Sequence, residues 1–414
     1  MNPAKNSYTM IIFAAQAKKE QFQPLSENRP PILFQVAGKT LVEWNYEVGK
    51  NFGVKKVILL IDKAQNQLFH RALGQYQEVS APPDEIGPFT LLDYDSKIGL
   101  TKELVNVILN NIPKESIWLD GNVVFSSDFF KMFLEKAEGH GKYALIEKDG
   151  ENKKCLGIGF FDEKFLELGS IGAKSVDDIF TSISEKVRSA TQYLTFNKET
   201  MEFWQINYLW NLLDANQILI NYIEELNQGI VEKGATIIGK VTIGKGTRIR
   251  AGSYLEGPVA IGLDCDIGPN CYLRSGVSLG NKVRIGNACE IKNTIIYQGT
   301  HVAHLSYVGD SIIGEDCNFG AGTMTGNLRL DDQTIKAQVN EEIISTGRRK
   351  LGVIIGDNVK TAINTYFMPG IIVGNNSAIG TGVIVQRNIE SGKFIYLDQK
   401  TEIRDWKAKS KRKG

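Results

Sequence analysis

Aliphatic residues recur every six positions in the second half of the chain: Ile237, Ile243, Ile249, Leu255, Ile261, Ile267, Leu273, Leu279, Ile285 and Ile291. Glycine follows directly at Gly244, Gly262, Gly268, Gly280 and Gly286. The fourth residue after each is small or β-branched, as at Thr247, Ser253, Val259, Cys265, Cys271, Val277, Val283 and Cys289. This period fits neither a helix nor simple strand alternation. It predicts a β-helix of hexapeptide repeats, three to a triangular coil, with the aliphatic residue inside the prism. Glycine lets the chain turn the corners.

After Ile291 the pattern resumes four residues on. It makes Ile295, His301, Tyr307, Ile313 and Phe319 the next inward positions. A polar excursion over residues 326–351 interrupts it. The repeat returns at Ile355 and continues through Phe367, Val373, Ile379 and Val385. Loops ejected from a regular solenoid usually build sites, so chemistry is expected near these irregularities.

The first half alternates strand-like and helix-like segments. The strands read Tyr8 to Ala15, Lys56 to Ile61 and Ser116 to Leu119, with an amphipathic helix from Leu41 to Phe52. Such alternation argues an α/β layer with mainly parallel strands. A helical stretch from Tyr208 to Leu226 leads into the repeats. The expected organisation is an α/β unit over 1–225, a β-helix over 226–398 and a basic tail over 399–414.

Composition narrows the partners. The net charge is +1 over 414 residues, with no global basic excess to suggest nucleic acid. The run from Lys407 to Lys413 reads as a solvated terminus. No stretch resembles a signal peptide or a bilayer span, so a cytoplasmic, membrane-free protein is expected. Cys265, Cys271, Cys289 and Cys317 occupy the small inward slot of the repeat and read as packing thiols. No ligand spacing for a metal is present.

Candidate chemistry concentrates between Ile285 and Asn327. Two of the four histidines lie there, with Lys292, Tyr307, Asn318 and Asn327 among repeat residues. Three motifs stand out: Lys292-Asn293, His304-Leu305-Ser306-Tyr307-Val308-Gly309-Asp310, and Asn318-Phe319-Gly320-Ala321-Gly322-Thr323. Together they resemble the acetyltransferase half of the bifunctional N-acetylglucosamine-1-phosphate uridylyltransferase family. Asn327-Leu328-Arg329 and Thr346-Gly347-Arg348-Arg349-Lys350-Leu351-Gly352 are similar to its archaeal-type sugar-1-phosphate nucleotidylyltransferase/acetyltransferase branch.

The resemblance implies a Rossmann-type, nucleotidyltransferase-like α/β domain followed by a left-handed parallel β-helix. It implies a homotrimer with sites between neighbouring rods, and acetyl-CoA as co-substrate. His304 matches the general base. Lys292, Tyr307 and Asn318 match contacts to an amino-sugar phosphate, as do Asn327 and Lys336 in the excursion. Arg274 stands where the family has Arg before Pro-Gly, although Ser275-Gly276 follows here. Ala321 and Thr323 lie in the turn whose backbone meets acetyl-CoA. Gln333 replaces a common Lys, and Ala362-Ile363-Asn364 replaces Gly-Ile-Asn. The chemistry is coherent: a neutral imidazole takes the proton of an amino sugar as its nitrogen attacks the thioester, while Lys and Arg suit a sugar 1-phosphate.

The first half departs from that family at three places. The strand Met10 to Ala15 is followed by Gln16-Ala17-Lys18-Lys19-Glu20, without the glycines that let backbone approach phosphates. Pro31, in Arg29-Pro30-Pro31-Ile32, stands in the catalytic Lys position. Gly121-Asn122 replaces the Gly-Asp whose Asp binds Mg²⁺, and an amide is a poor Mg²⁺ ligand. Asp120 is adjacent but faces the other side of its strand. The later metal Asp is missing from Trp204-Gln205-Ile206. This half is therefore expected to have lost nucleotidyl transfer, and its use of Mg²⁺ with it.

The leading reading is acetyl-CoA-dependent N-acetylation of an amino-sugar 1-phosphate, with glucosamine 1-phosphate the first candidate, in nucleotide-sugar biosynthesis. Two alternatives stay open: a bifunctional enzyme that also transfers a nucleotidyl group, making UDP-N-acetylglucosamine, and a non-catalytic regulatory or scaffold subunit. The rod is expected to trimerise and to work without the first half.

Overall fold

The computed structural model describes residues 7–15, 20–76, 85–112, 115–138, 140, 142–149, 152–186 and 192–406. Its first half is built on a mixed eight-stranded sheet, with two small two-stranded sheets beside it. The order is Gln192–Thr195, Lys142–Asp149, Asn152–Asp162, Glu115–Asp120, Tyr8–Phe13, Val54–Ile61, Phe89–Asp93 and Glu85–Ile86. The four strands from Glu115–Asp120 to Phe89–Asp93 are parallel. Asn152–Asp162 runs antiparallel to both of its neighbours. Tyr8–Phe13 is buried throughout, as a continuous apolar run in a sheet covered on both faces should be.

The expected amphipathic helix is Leu41–Lys50. A capping box starts it: the Glu43 N–H donates to Thr40 Oγ1 at 3.3 Å, and the Thr40 N–H donates to the Glu43 carboxylate at 2.8 Å. Two side chains anchor it: Trp44 Nε1 donates to the Phe125 carbonyl and Asn45 Nδ2 to the Val123 carbonyl, both at 2.8 Å. The helical stretch before the repeats is shorter than its pattern indicates. Helix Asn211–Leu219 gives way to a 3₁₀ turn at Ile220–Tyr222, and Leu226 is already in a strand.

The second half is a three-sided prism. Its faces are all-parallel sheets of eight, nine and eight strands. The first face begins at Leu226–Asn227, the second at Ile230–Val231 and the third at Thr236–Ile238. Of the ten aliphatic repeat residues, Ile243 to Ile291 are buried in one core, with the cysteine slot beside them. Ile237, in the first coil, is 37% exposed because no coil lies beneath it.

The register after Ile291 differs from the expected one. Paired residues stand 18 apart in the early coils, as in Val259 with Val277. From Ser278 with Ile295 to Tyr307 with Met324 they stand 17 apart. The lost residue belongs to the corner between third and first faces, where Ile291 to Ile296 and Val308 to Ile313 span five residues, not six. The inward residues are thus Ile296, Val302 and Val308, and not Ile295, His301 and Tyr307. His301 is exposed and Tyr307 partly so. Ile295 is buried on the outside of the rod, under the first half of the chain. Periodicity alone misplaced these three because a shortened corner changes the phase without changing the pattern of apolar residues.

The excursion leaves at that same corner. It forms a hairpin of Lys336–Val339 with Glu342–Ser345, and closes on itself where Leu328 pairs with Lys350. Ile335, Ala337, Val339 and Leu351 from it join a core shared with the first half.

That shared core joins the rod to the first half of the chain. Ala260, Ile295, Tyr297, Ile312 and Ile354 point outward from the first face and pack against the α/β half. Polar contacts seal the junction. The Gln35 N–H donates to Tyr297 Oη at 2.9 Å, and the Gly38 N–H to Ser278 Oγ at 2.8 Å. Gly38 has φ +81°, and a Cβ there would come within 3.1 Å of the Ala260 Cβ. Arg29 lies buried between Asp357 and Glu315, at 2.7 and 3.2 Å, with its guanidinium 5.0 Å from the centre of the Tyr297 ring.

Candidate functional site

Four of the sequence candidates meet on the third face. Arg274, Lys292 and Tyr307 project from consecutive coils there. Asn327 stands at the root of the excursion, two residues after the strand Met324–Thr325 of the same face. Tyr307 Oη accepts from Asn327 Nδ2 at 3.0 Å. Burial raises the Tyr307 hydroxyl above its usual range, with the Asp310 and Glu290 charges adding to the rise. Arg274 Nη1 donates to Glu290 Oε1 at 2.9 Å, and the guanidinium lies 5.7 Å from the centre of the Tyr272 ring.

The centre of this cluster is Asp310, which the site assignment from sequence missed. Lys292 Nζ reaches its two oxygens at 2.9 and 3.2 Å. Asn293 Nδ2 donates to it at 2.8 Å and Asn327 Nδ2 at 2.5 Å. Asp310 lies within a quoted motif, and its signal is positional. It takes the left-handed corner conformation, φ +50°, where earlier coils carry Gly239 and Gly276. Glu290 was also missed, since its pairing with Arg274 appears only once coils stack.

His304 ends the strand His301–His304 on the second face, at the corner leading to the third. It pairs with Asn287 of the coil before. Its carbonyl accepts from Gly322 N–H at 3.3 Å, which brings Ala321 alongside in the next coil. The imidazole is exposed and has no hydrogen-bond partner among the described residues. The same corner and the third face beyond it expose Leu305, Ile363, Tyr366, Met368 and Ile384.

Three candidates lie elsewhere. Asn318 is on the second face, paired with His301, and exposed. Lys336 is exposed at the start of the excursion hairpin. Thr323 is fully buried, its hydroxyl bonded to the Gly320 carbonyl at 2.7 Å and 2.9 Å from Thr361 Oγ1, so its side chain reaches no ligand.

In the first half, Asn122 is buried and committed to structure. Its Nδ2 donates to the Ile206 carbonyl at 2.8 Å and its own carbonyl accepts from Ile206 N–H at 2.7 Å. Asp214 pairs with Arg348 of the excursion. Pro31 starts a buried 3₁₀ turn. Among the described residues, no three of His, Cys, Asp or Glu converge as a metal site. Gln16 to Lys19 lie outside the described residues. An open groove of about 880 Å³ remains in this half, lined in part by Glu147, Lys154, Trp204 and Asn207. At the positions where the family resemblance implies a Mg²⁺-binding carboxylate and a lysine, the chain thus presents the bonded Asn122 amide and Pro31.

Asp120 Oδ1 accepts from Val176 N–H at 2.9 Å. Burial pushes its carboxyl up to about 7 in spite of that bond, with Asp177 and Asp178 adding to the rise. A raised acid favours the folded state only while protonated, so its contribution is lost as pH rises from about 4 through 7. Asp120→Asn keeps the acceptor for Val176 and is expected to melt several degrees above wild type at pH 8. The two melting curves should converge near pH 4. Equal midpoints at pH 8 would show that Asp120 carries no such cost.

Comparison with known proteins adds a lineage to this geometry. A family model described as the GMPPB C-terminal domain matches residues 255–366. The chain is 32% identical over 410 residues to a "Bifunctional sugar-1-phosphate nucleotidylyltransferase/acetyltransferase" of Sulfurisphaera tokodaii, covering 92% of this chain and 98% of the relative. It is 31% identical to a "Bifunctional protein GlmU" of Methanocaldococcus jannaschii, covering 93% and 97%. Over 172 residues it is 37% identical to an "Uncharacterized acetyltransferase YaiX" of Escherichia coli, covering 42% of this chain and 74% of the relative.

Proposed function

We propose that this chain, which belongs to the family of bifunctional sugar-1-phosphate nucleotidylyltransferases/acetyltransferases, is an acetyl-CoA-dependent N-acetyltransferase of an amino-sugar 1-phosphate, with glucosamine 1-phosphate as substrate. The observation that carries this reading is the convergence of Arg274, Lys292, Tyr307 and Asn327 on one face, beside the corner that holds His304. Two cations and two neutral donors suit a phosphate monoester on a sugar. Each cation already has a carboxylate partner, Glu290 or Asp310, so neither pays the full cost of an unpaired charge while the site is empty. An exposed imidazole at the edge suits proton transfer from the sugar ammonium. The apolar corner of Leu305 and Ile363 suits the pantetheine arm of acetyl-CoA.

Asn318 bears on the assembly. It stands on the second face, while the cationic residues stand on the third. One sugar phosphate can meet both only if the second face of a neighbouring rod approaches the third face of this one. A ring of three rods satisfies that requirement, and contact between rods would cover the exposed Tyr366, Met368 and Ile384. Lys336 is assigned to the same substrate from the excursion, and Ala321, with the Thr323 backbone, to acetyl-CoA. The test is thiol release from acetyl-CoA against a panel of amino-sugar phosphates. Release with glucosamine 1-phosphate, and little with unphosphorylated glucosamine, is expected. No release with any member of the panel would overturn the reading.

The names of the relatives favour a second activity, nucleotidyl transfer by the first half. The residues argue against it: Pro31 cannot neutralise a pyrophosphate, and Asn122 is bonded to residue 206. Pyrophosphate release from UTP or dTTP with Mg²⁺ and a sugar 1-phosphate is expected to stay at background. Robust release, abolished in Asp120→Asn, would establish the bifunctional alternative, with Asp120 as metal ligand.

A further inference from the structure

We propose that Asp310 is a positioning residue for this transfer, holding Lys292 and Asn327, and through Asn327 the Tyr307 hydroxyl, where they meet the substrate's phosphate. The inference rests on reading the third face as the sugar-phosphate site. Asp310 itself cannot touch a bound sugar, because its side chain is only 3% exposed. Both of its oxygens are occupied, Oδ1 by Asn293 and Lys292, Oδ2 by Lys292 and Asn327. Each contact brings a hydrogen to the carboxylate, so an ionised acid satisfies all of them and no neutral isostere does.

The location adds a second reason. Asp310 sits at the corner shortened by one residue, in the left-handed conformation that glycine adopts without strain. What aspartate adds there is the carboxylate. That carboxylate ties together three successive coils: Lys292 and Asn293 in one, Asp310 in the next, and Asn327 in the third, where the excursion departs. The Asp310 carbonyl also accepts from Gly352 N–H at 2.7 Å, where the excursion returns. One residue thus fixes both feet of the loop that carries Lys336.

The physical effect is preorganisation. A free lysine loses rotamer freedom when it grips a phosphate, and pinning it beforehand removes that cost from binding. Lys292 has three N–H donors. Asp310 accepts from Lys292 at both of its oxygens, and the Lys292 side chain remains 20% exposed. Asn327 is held in the same way, with one Nδ2 shared between Asp310 and the Tyr307 hydroxyl.

The test uses the full-length protein and Asp310→Asn. The amide keeps the shape, but its NH₂ faces donors and breaks at least one contact. KM for glucosamine 1-phosphate is expected to rise on the order of 10–100-fold, as when a partner that orients a ligating group is removed. The KM for acetyl-CoA should hold and kcat should change by much less. Lys292→Met should act on the same KM, and the double variant should be no worse than the more damaging single one. A purely structural role would lower the melting temperature without this split. An unchanged KM in folded Asp310→Asn, or fully multiplicative effects in the double variant, would overturn the proposal. Should Asp310→Asn not fold, Asn327→Ala with Tyr307→Phe gives the same cycle at the other end of the chain of bonds. Calorimetric binding of glucosamine 1-phosphate and of inorganic phosphate separates the two readings. Wild-type binding without acetyl transfer sinks the transferase assignment alone, and the cycle is then read on Kd. No binding of either by the wild type sinks both.

Discussion

His304→Ala is expected to slow acetyl transfer to glucosamine 1-phosphate by roughly 10²–10⁴-fold, the usual contribution of a positioned general base. At neutral pH the amino group of the sugar is mostly an ammonium and has no lone pair to offer. One proton must leave the ammonium to free that lone pair; attack on the thioester carbon then forms the N–C bond and breaks the C–S bond, and a second proton passes from nitrogen to the departing CoA thiolate. His304 stands at the corner between the second and third faces, its imidazole exposed and without a hydrogen-bond partner among the described residues. Because the proposed phosphate contacts lie on other residues, the loss should fall on kcat, with KM for the sugar nearly unchanged. His301 lies three residues away on the second face, paired with Asn318. His301→Ala should therefore have the smaller effect. Steady-state rates by thiol release decide the matter. A His304→Ala enzyme with near-wild-type kcat would remove His304 from the chemistry and shift attention to His301.

Residues 226–414 expressed without the first half are expected to aggregate, and so to lose transfer, although every coil of the rod is present. The first face presents Ile295, Tyr297, Ile312 and Ile354 to the α/β half, each at most 1% exposed. Uncovering the three isoleucines alone costs on the order of 5–9 kcal/mol, at about 1.5–3 kcal/mol per large aliphatic side chain. The excursion would lose its support as well, since Ile335, Ala337 and Val339 share that core and Arg348 pairs with Asp214. A contiguous apolar patch of this kind drives self-association. Size-exclusion chromatography of the truncated protein gives the readout. Ile295→Lys with Ile312→Glu in the same fragment should restore solubility, because charges on that face remove the patch without touching the prism interior. A monodisperse, fully active fragment without those changes would show that the first half is dispensable.

The residues that were legible in sequence share a property: their roles depend on local backbone geometry. Ile243 to Ile291 must point inward once a period of six is imposed, and Cys265, Cys271, Cys289 and Cys317 must fill the small slot; all are buried. The motif around His304 and Tyr307 was visible because polar residues interrupted a pattern that otherwise specifies them. What was not legible depended on counting coils. Ile295, His301 and Tyr307 were assigned inward because the pattern restarts at Ile295, yet the chain had shortened a corner by one residue and the interior passed to Ile296, Val302 and Val308. Asp310 and Glu290 went unassigned because their partners lie 16 to 18 positions away in sequence and one coil away in space.

By itself, the sequence determined the architecture: an α/β sheet followed by a parallel β-helix, with the place along the rod where polar residues gather. Hydrophobic periodicity suffices for this, since burial of one residue in six leaves few alternative ways to coil the chain. The tertiary structure decided which face each candidate occupies. It brought Arg274, Lys292, Tyr307 and Asn327 onto one side, set Asn318 on another, and centred the first group on a carboxylate. It also decided that Arg29 braces the rod, between Asp357 and Glu315, and that the first face is a buried interface. These outcomes follow from stacking and docking, in which residues hundreds of positions apart come within hydrogen-bond distance. No period along the chain encodes such distances, because they depend on how many residues each corner spends and on which outer surface finds a partner.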